Sequence, residues 1–145
     1  MHKKVAKYTW ADQYKTLPNQ SDFHEIVRYL FCQEAPFKGL RCYQEVAVQD
    51  LIPEYDNSLH RYDWYIEELK LIVELHGEQH YRPANFGNVG YDTLMRSFEK
   101  TKLYDSLKKN AAVEAGFRYV AIPYSLKSKL DGDLLRQLLL SKEIQ

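Results

Sequence analysis

The stretch Arg61–Tyr81 constrains the fold more than any other part of the chain. It contains two strand-like segments joined by an acidic turn, and the second, around the apolar run Leu71–Val73, leads into a glycine. Asp63 lies on the first segment, and Glu74 and His76 end the second. Because a carboxylate inside a sheet is unfavourable unless a cation meets it, this stretch predicts a sheet that holds a divalent metal.

The rest of the chain predicts helices on both sides of these strands. In chain order the further elements are a helix capped by Ser21 or Asp22, a strand over Cys42–Val48, a helix from Tyr91 or Asp92 to about Ala115, a strand over Phe117–Pro123 and a helix from about Asp131 to Ser141. Gly116 suits the end of the long helix, whose residues Leu103, Leu107 and Ala111 share one face. The order α-β-β-β-α-β-α indicates a single α/β domain over residues 1–145, with a mixed sheet of about four strands flanked by helices.

The charge distribution is more informative than the net charge of zero, which by itself speaks against nucleic-acid binding. Residues 45–80 carry nine acidic side chains against two basic ones, Arg61 and Lys70. The flanking basic residues, which are candidates for contacts with nucleic acid, are Lys3, Lys4 and Lys7 in an irregular N-terminal arm (residues 1–20) and Arg96, Lys100, Lys102 and Lys109 in the long helix. An acidic centre between basic segments is typical of a metal-dependent phosphodiesterase, although ordinary surface charge gives the same pattern.

Other function classes are disfavoured by the composition. No apolar run is long enough for a membrane helix, and the basic N-terminus leads into no apolar segment of the kind that a secretory signal has. Cys32 and Cys42 form neither a disulfide framework nor a zinc ribbon. We therefore expect a cytoplasmic protein with reduced thiols.

The positions of the acidic residues suit phosphodiester hydrolysis, which requires charge stabilisation at the phosphoryl group and an activated water molecule. Asp63 and Glu74 are eleven residues apart on adjacent strands, so a hairpin brings them to the same end of the sheet. Alternation along a strand puts Glu74 and His76 on one face and Leu75 on the other. Carboxylate ligands of this kind favour Mg²⁺, with Mn²⁺ as the alternative.

These residues resemble the Asp…(Asp/Glu)-x-Lys signature of the PD-(D/E)xK nuclease superfamily. The chain is most similar to a branch of small, often phage-encoded proteins that are related to very-short-patch mismatch-repair endonucleases and to EDxHD homing endonucleases. The motifs that carry this resemblance span about residues 40–125 and are Asp63, Glu74-Leu75-His76-Gly77-Glu78-Gln79-His80, Asp105-Ser106-Leu107-Lys108, Gly116 and Ile122-Pro123.

The resemblance implies a restriction-endonuclease-like core and a metal-dependent DNA endonuclease. It implies that Asp63 and Glu74 bind the metal, with Asp105 as a further ligand, and that His76 or His80 acts as general base or steadies the phosphate and the leaving group. His76 occupies the position of the usual lysine, so Lys108 is the candidate for that role. The upstream glutamate of the family matches Glu25 loosely, and Glu45 is a rival for the same role.

Other interpretations of the same residues stay open. Asp63 and Glu74 could be strand-end carboxylates paired with Arg61 and Lys70, and Asp105 and Lys108 an ordinary helix pair. The chain could also be an inactive nuclease-like module that binds DNA or a protein partner, or a nuclease directed at RNA. A zinc hydrolase is disfavoured, because no Pro-Cys-x-x-Cys run follows His76 and Gly77 stands where a His-Glu-x-x-His metalloprotease has its glutamate. Cleavage of both DNA strands requires two active sites, which favours a homodimer.

Overall fold

The central feature of the computed structural model, which describes residues 21–83 and 90–140, is a four-stranded mixed sheet. Its strands are β1 (Cys42–Ala47), β2 (Arg61–Ile66), β3 (Leu71–His76) and β4 (Arg118–Pro123), and they lie side by side in this order. β2 runs antiparallel to both β1 and β3, and β4 runs parallel to β3. The predicted α/β class with about four strands is confirmed, and the restriction-endonuclease-like core stays a prediction.

Four α-helices accompany the sheet within the described ranges. They are α1 (Asp22–Gln33), α2 (Val48–Leu51), α3 (Tyr91–Glu114) and α4 (Gly132–Leu140). Ser21 caps α1, since its side chain accepts a hydrogen bond from the backbone N–H of His24. Gly116 follows α3 with a φ of +91°, the left-handed conformation that glycine adopts readily. The sequence did not predict α2, because a single helical turn has no apolar periodicity, so Val48 begins this helix instead of ending β1.

The two faces of the sheet bury different side chains. On one face, Trp64, Leu71, Val73 and Leu75 pack in a cluster with apolar residues of α1 and α4. On the other face, the buried cluster contains Val46, Tyr62, Tyr65, Ile72 and Tyr119 together with Ala112 of α3. Leu75 lies on the α1 side of the sheet, whereas Glu74 reaches Lys108 of α3 on the other, so the predicted alternation along β3 is confirmed.

A break in strand alternation lies next to the acidic residues. Gln44 pairs with Trp64 and Val46 pairs with Tyr62, and Glu45 lies between these pairs, level with Asp63. Glu45 has a φ of +56°, which is uncommon for a residue with a side chain. Val46 and Tyr62 consequently belong to the cluster on the α3 side, although strict alternation from Cys42 and Trp64 would put them on the other side. The predicted first strand is confirmed and its burial alternates, but its buried side chains change from one side of the sheet to the other at Glu45.

Helix α3 is long but shallowly packed. Of its described side chains only Ala112 is buried, and Leu103 and Leu107 are 55% and 45% exposed. The apolar face predicted from Leu103, Leu107 and Ala111 is thus largely open to solvent at Leu103 and Leu107. Across the described ranges, no helix combines the length and the apolar character that a membrane crossing requires. Cys32 and Cys42 are not joined in a disulfide.

Candidate functional site

The strands β2 and β3 separate at the acidic residues. Their ladder consists of three residue pairs and ends at Trp64 and Val73. Beyond this point each carboxylate accepts a hydrogen bond from the backbone of the opposite strand. The N–H of Asp63 donates to Glu74 Oε2 at 3.0 Å, and the N–H of Leu75 donates to Asp63 Oδ2 at 2.7 Å. The two carboxylates are thereby fixed next to each other in the gap between the strands.

Basic side chains from the helices on both sides meet the remaining carboxylate oxygens. Lys108 of α3 places Nζ 2.7 Å from Glu74 Oε1 and donates from the same atom to the carbonyl oxygen of Arg61 at 3.0 Å. His24 of α1 places Nε2 3.3 Å from Asp63 Oδ1. The site therefore lies between α1 and α3, at the end of the sheet where β2 and β3 separate.

The ordinary interpretation, in which Arg61 and Lys70 pair with the carboxylates, is wrong. The guanidinium of Arg61 donates to the carbonyl oxygen of Glu45 at 3.0 Å, and the ammonium of Lys70 lies 5.4 Å from the centre of the Phe117 ring. Asp105 and Lys108 do not pair with each other in the way of an ordinary helix pair either, since each contacts a residue of β3 or of the turn after it.

The electrostatics of the carboxylate pair fit a cation site. Glu74 is 2% exposed, and its burial together with the charge of Asp63 raises its pKa to about 7 despite the nearby Lys108. Burial also opposes ionisation of Asp63, but the contact with His24, the N–H of Leu75 and the charge of Lys108 lower its pKa below the ordinary value. A carboxylate that retains a proton near pH 7 indicates insufficient positive charge, which a divalent metal would supply.

A second group forms where β3 ends. A short 3₁₀ turn over Glu78–His80 folds the chain back, so that the rings of His76 and His80 stack in parallel with centres 4.2 Å apart. His80 Nδ1 lies 2.7 Å from Asp105 Oδ2. His76 Nε2 lies 4.0 Å from Asp105 Oδ1 and is buried, with no hydrogen-bond partner within the described ranges. Burial and the neighbouring His80 lower the pKa of His76 to about 4, so its ring is neutral at pH 7.

The arrangement of this second group favours a hydrogen-bonded histidine–aspartate pair. The possible ligand atoms of His76, His80 and Asp105 lie within 4.8 Å of one another, a spacing that could hold a metal. However, the in-plane nitrogen lone pairs of parallel stacked rings lie in two separate parallel planes and do not converge on one point, and Asp105 already bonds His80 at 2.7 Å. A carboxylate that accepts the Nδ1 proton leaves Nε2 of His80 free to take a proton from another molecule.

The structure brings most of the predicted site residues together. These residues are Asp63, Glu74, His76, His80, Asp105 and Lys108. Glu25 instead pairs with Arg28 at 2.6 Å, and the side chain of α1 that meets Asp63 is His24. Glu45, the rival of Glu25, lies close enough to Asp63 that the charge of Asp63, added to the effect of burial, raises the pKa of Glu45. The sequence shows His24 only as a polar helix residue without a motif.

The predicted nucleic-acid contacts are divided between described and undescribed parts of the chain. Arg96, Lys100, Lys102 and Lys109 are exposed side chains of α3, whereas Lys3, Lys4 and Lys7 lie outside the described residues. The ammonium of Lys102 lies 5.4 Å from the centre of the Phe98 ring, and Arg96 contacts Thr93. The four described residues thus carry positive charge on the same helix that supplies Asp105 and Lys108.

The ion pair between Lys108 and Glu74 gives a prediction for stability. We expect Lys108→Met to lower the free energy of unfolding by about 3 kcal/mol at pH 8, because it leaves a buried carboxylate without its cation. Lys109→Met at the exposed neighbouring position is the matched control and should change the free energy of unfolding by less than about 0.5 kcal/mol. Urea unfolding of both variants measures the difference, and equal effects would show that the ion pair contributes nothing.

No protein-family model, curated protein or solved structure matches the chain. What the site can do therefore follows from its geometry. It contains a carboxylate pair suited to a divalent metal, a lysine beside that pair, and a histidine–aspartate pair suited to proton transfer.

Proposed function

We propose that the protein is a metal-dependent DNA endonuclease that hydrolyses phosphodiester bonds. The observation that carries this proposal is the position of Asp63 and Glu74, which lie next to each other where β2 and β3 separate. Phosphodiester hydrolysis also requires a proton acceptor and a group that balances the charge of the reacting phosphate. His80 and Lys108 have the chemistry for these two roles.

Asp63 and Glu74 are the residues that would hold Mg²⁺ or Mn²⁺. When bound, such a metal supplies charge stabilisation at the phosphoryl group and lowers the pKa of a water molecule. Lys108, whose ammonium contacts Glu74, would take the part of the lysine in the Asp…(Asp/Glu)-x-Lys signature, since His76 stands at that motif position. This supports the resemblance to PD-(D/E)xK nucleases at a point where the sequence departs from their motif.

The histidine–aspartate pair supports a role for His80 as general base. Asp105 orients the imidazole through Nδ1, and the stacked ring of His76 restricts the rotation of His80. We expect His80→Asn to lower the cleavage rate by roughly 10²- to 10⁴-fold. Asp105→Asn should also lower it, and the double variant should be little worse than His80→Asn, because the two residues act as a unit. Retention of more than about a third of the wild-type rate by His80→Asn would exclude this role.

The proposal extends to partners and place of action. The exposed basic residues of α3 (Arg96, Lys100, Lys102 and Lys109) would bind DNA phosphates beside the site. The carboxylate pair of one chain suits the cleavage of one DNA strand. Cleavage of both strands would therefore require a homodimer. Because Cys32 and Cys42 are not joined in a disulfide, we propose that the protein acts in the cytoplasm, where thiols stay reduced.

A cleavage assay on supercoiled plasmid tests the proposal. With Mg²⁺ or Mn²⁺ the purified protein should convert the plasmid to nicked or linear forms, and EDTA should abolish the conversion. The same assay on a labelled RNA of equal length would identify a nuclease that acts on RNA instead of DNA. Intact plasmid with both metals, despite binding of the DNA, would identify the protein as an inactive nuclease-like module and contradict the proposal.

A further inference from the structure

A row of aromatic side chains leads from the histidine–aspartate pair to the protein surface. The ring of His76, stacked on His80, lies 6.1 Å from the ring of Tyr81, centre to centre. Tyr81 lies 5.8 Å from Tyr124, and the guanidinium of Arg82 lies 6.0 Å from the centre of the Tyr124 ring. Tyr81 is 46% exposed. Neighbouring aromatic rings, tilted against one another by 43° to 57°, therefore extend from the stacked histidines towards solvent.

Basic groups accompany the outer part of this row. Arg82 donates a hydrogen bond to the hydroxyl of Tyr124 and pairs with Glu78 at 3.0 Å, and its side chain is 61% exposed. Lys127 is 44% exposed, and its ammonium lies 3.9 Å from Asp22. Exposed pairs of this kind contribute little to stability, so a phosphate group can replace Glu78 or Asp22 as the partner of the basic side chain.

A pocket connects these groups to the carboxylate site along a second path. It has a volume of about 350 Å³, and its lining includes Tyr124, Lys127 and His24. His24 is the residue that contacts Asp63. The outer part of the row is thus linked to the histidine–aspartate pair through Tyr81 and to the carboxylate pair through the pocket.

We propose that Tyr81, Arg82, Tyr124 and Lys127 bind an unpaired stretch of nucleic-acid strand. Bases would stack on the exposed ring of Tyr81 and on the partly exposed ring of Tyr124, and phosphates would contact Arg82 and Lys127. Bases in a duplex are already stacked on each other, whereas unpaired bases can lie on aromatic side chains, which is how single strands are bound without sequence preference. Resting on the proposed function, this inference makes the substrate a DNA with an unpaired segment beside the scissile phosphate.

The chemistry of the surroundings separates this surface from a second region that contains tyrosines. A groove of about 570 Å³ between α3 and the segment before β2 also contains tyrosines, Tyr55 and Tyr104. Its charged lining consists of Glu54, Asp56 and Glu114, without lysine or arginine. Carboxylates repel the phosphates of a strand, so aromatic rings with basic neighbours occur together at Tyr81 and Tyr124 and not in the groove.

Binding measurements in EDTA test the proposal without cleavage. Fluorescence anisotropy would compare a labelled single-stranded oligonucleotide with a hairpin duplex of the same sequence, and we expect the single strand to bind roughly tenfold tighter. Tyr81→Ala should weaken single-strand binding by roughly tenfold or more, and Tyr81→Trp should retain it, since tryptophan also stacks. Tyr29→Ala on α1 removes a tyrosine that is 60% exposed, and as the matched control it should change nothing.

The outcomes separate this proposal from the proposed nuclease function. Tighter binding of the duplex, or equal effects of Tyr81→Ala and Tyr29→Ala, would overturn the binding surface and leave plasmid cleavage untouched. Single-strand binding by a protein that cuts neither DNA form with Mg²⁺ or Mn²⁺ would support the surface and contradict the nuclease function. An RNA strand that binds tighter than DNA in a Tyr81-dependent way supports the surface and contradicts DNA as the substrate.

Discussion

Asp63→Asn is expected to lower metal-dependent DNA cleavage by about a thousandfold or more, because it removes a charged ligand from the proposed metal site. The amide oxygen of asparagine can still accept the hydrogen bond from the N–H of Leu75, so the separation of β2 and β3 should be preserved. Plasmid cleavage at saturating Mn²⁺ measures the rate, and circular dichroism confirms that the variant is folded.

Asp56→Asn is the matched control for this variant. Asp56 is an exposed aspartate that lines the acidic groove and not the gap between β2 and β3. We expect the Asp56→Asn variant to cleave DNA at the wild-type rate. Equal rates for Asp63→Asn and Asp56→Asn would show that Asp63 takes no part in the reaction.

Glu74→Gln is expected to remove up to about 3 kcal/mol of pH dependence from the stability of the metal-free protein between pH 4.5 and 7. The variant also leaves the Lys108 ammonium without its carboxylate, so the quantity to compare is the pH dependence and not the stability at one pH. Burial raises the pKa of Glu74 from the ordinary 4.5 to about 7 in the folded protein, and this difference corresponds to about 3 kcal/mol. An acid with a raised folded pKa binds its proton more tightly when folded, so stability decreases as the pH rises from 4.5 to 7. Glutamine does not ionise and avoids this loss.

Comparison of the two proteins across pH isolates the effect of Glu74. The lowered pKa of His76 acts in the opposite direction, since its contribution is present above pH 6.5 and is lost as the pH falls through about 4. It is common to both proteins, so to first order it cancels in their difference. Urea unfolding should give a stability difference between the two proteins that shifts in favour of Glu74→Gln as the pH rises from about 4 to about 7. A difference that stays constant over this range would contradict the raised pKa.

The same variant also tests metal binding. Mn²⁺ should raise the melting temperature of the wild type, because a ligand that binds only the folded state stabilises it. Glu74→Gln should lose most of this increase, whereas the exposed matched control Glu54→Gln should retain it. An undiminished increase in Glu74→Gln would place any bound metal away from Glu74.

The sequence predicted the pairing of Asp63 and Glu74 because short-range rules determine it. A hairpin brings the ends of two adjacent strands together, and alternation along β3 decides that Glu74 and His76 share a face. Asp105 and Lys108 are three residues apart on a helix, so both could be assigned to one side of it. Only the tertiary packing shows that this side of the helix faces β3 and the turn after it.

The contacts that the sequence did not predict depend on long-range packing. Phe23, Val27 and Phe31 are buried and fix the rotation of α1, and this rotation directs His24 instead of Glu25 towards Asp63. Periodicity reveals an apolar stripe on a helix but not whether another element covers it, so the exposure of Leu103 and Leu107 was not evident either.

The left-handed conformation of Glu45 has a similar origin. No glycine or asparagine stands at this position to signal a positive φ, and the alternation from Cys42 to Val48 reads as a regular strand. The break becomes visible only in the pairing with β2, where Val46 and Tyr62 lie on the α3 side of the sheet. Sequence patterns therefore identified the acidic residues but not the backbone that positions them.

A crystal soaked with Mn²⁺, measured for anomalous scattering, tests most directly whether Asp63 and Glu74 hold the metal. The prediction is an anomalous peak at ligand distance, about 2 Å, from carboxylate oxygens of both residues. Lys108 should then move away from its position 2.7 Å from Glu74, because the metal replaces it as the cation beside that carboxylate. A peak only among His76, His80 and Asp105 would contradict the assignment of the metal to Asp63 and Glu74. The absence of any peak in a crystal whose protein cleaves DNA with Mn²⁺ would contradict it too.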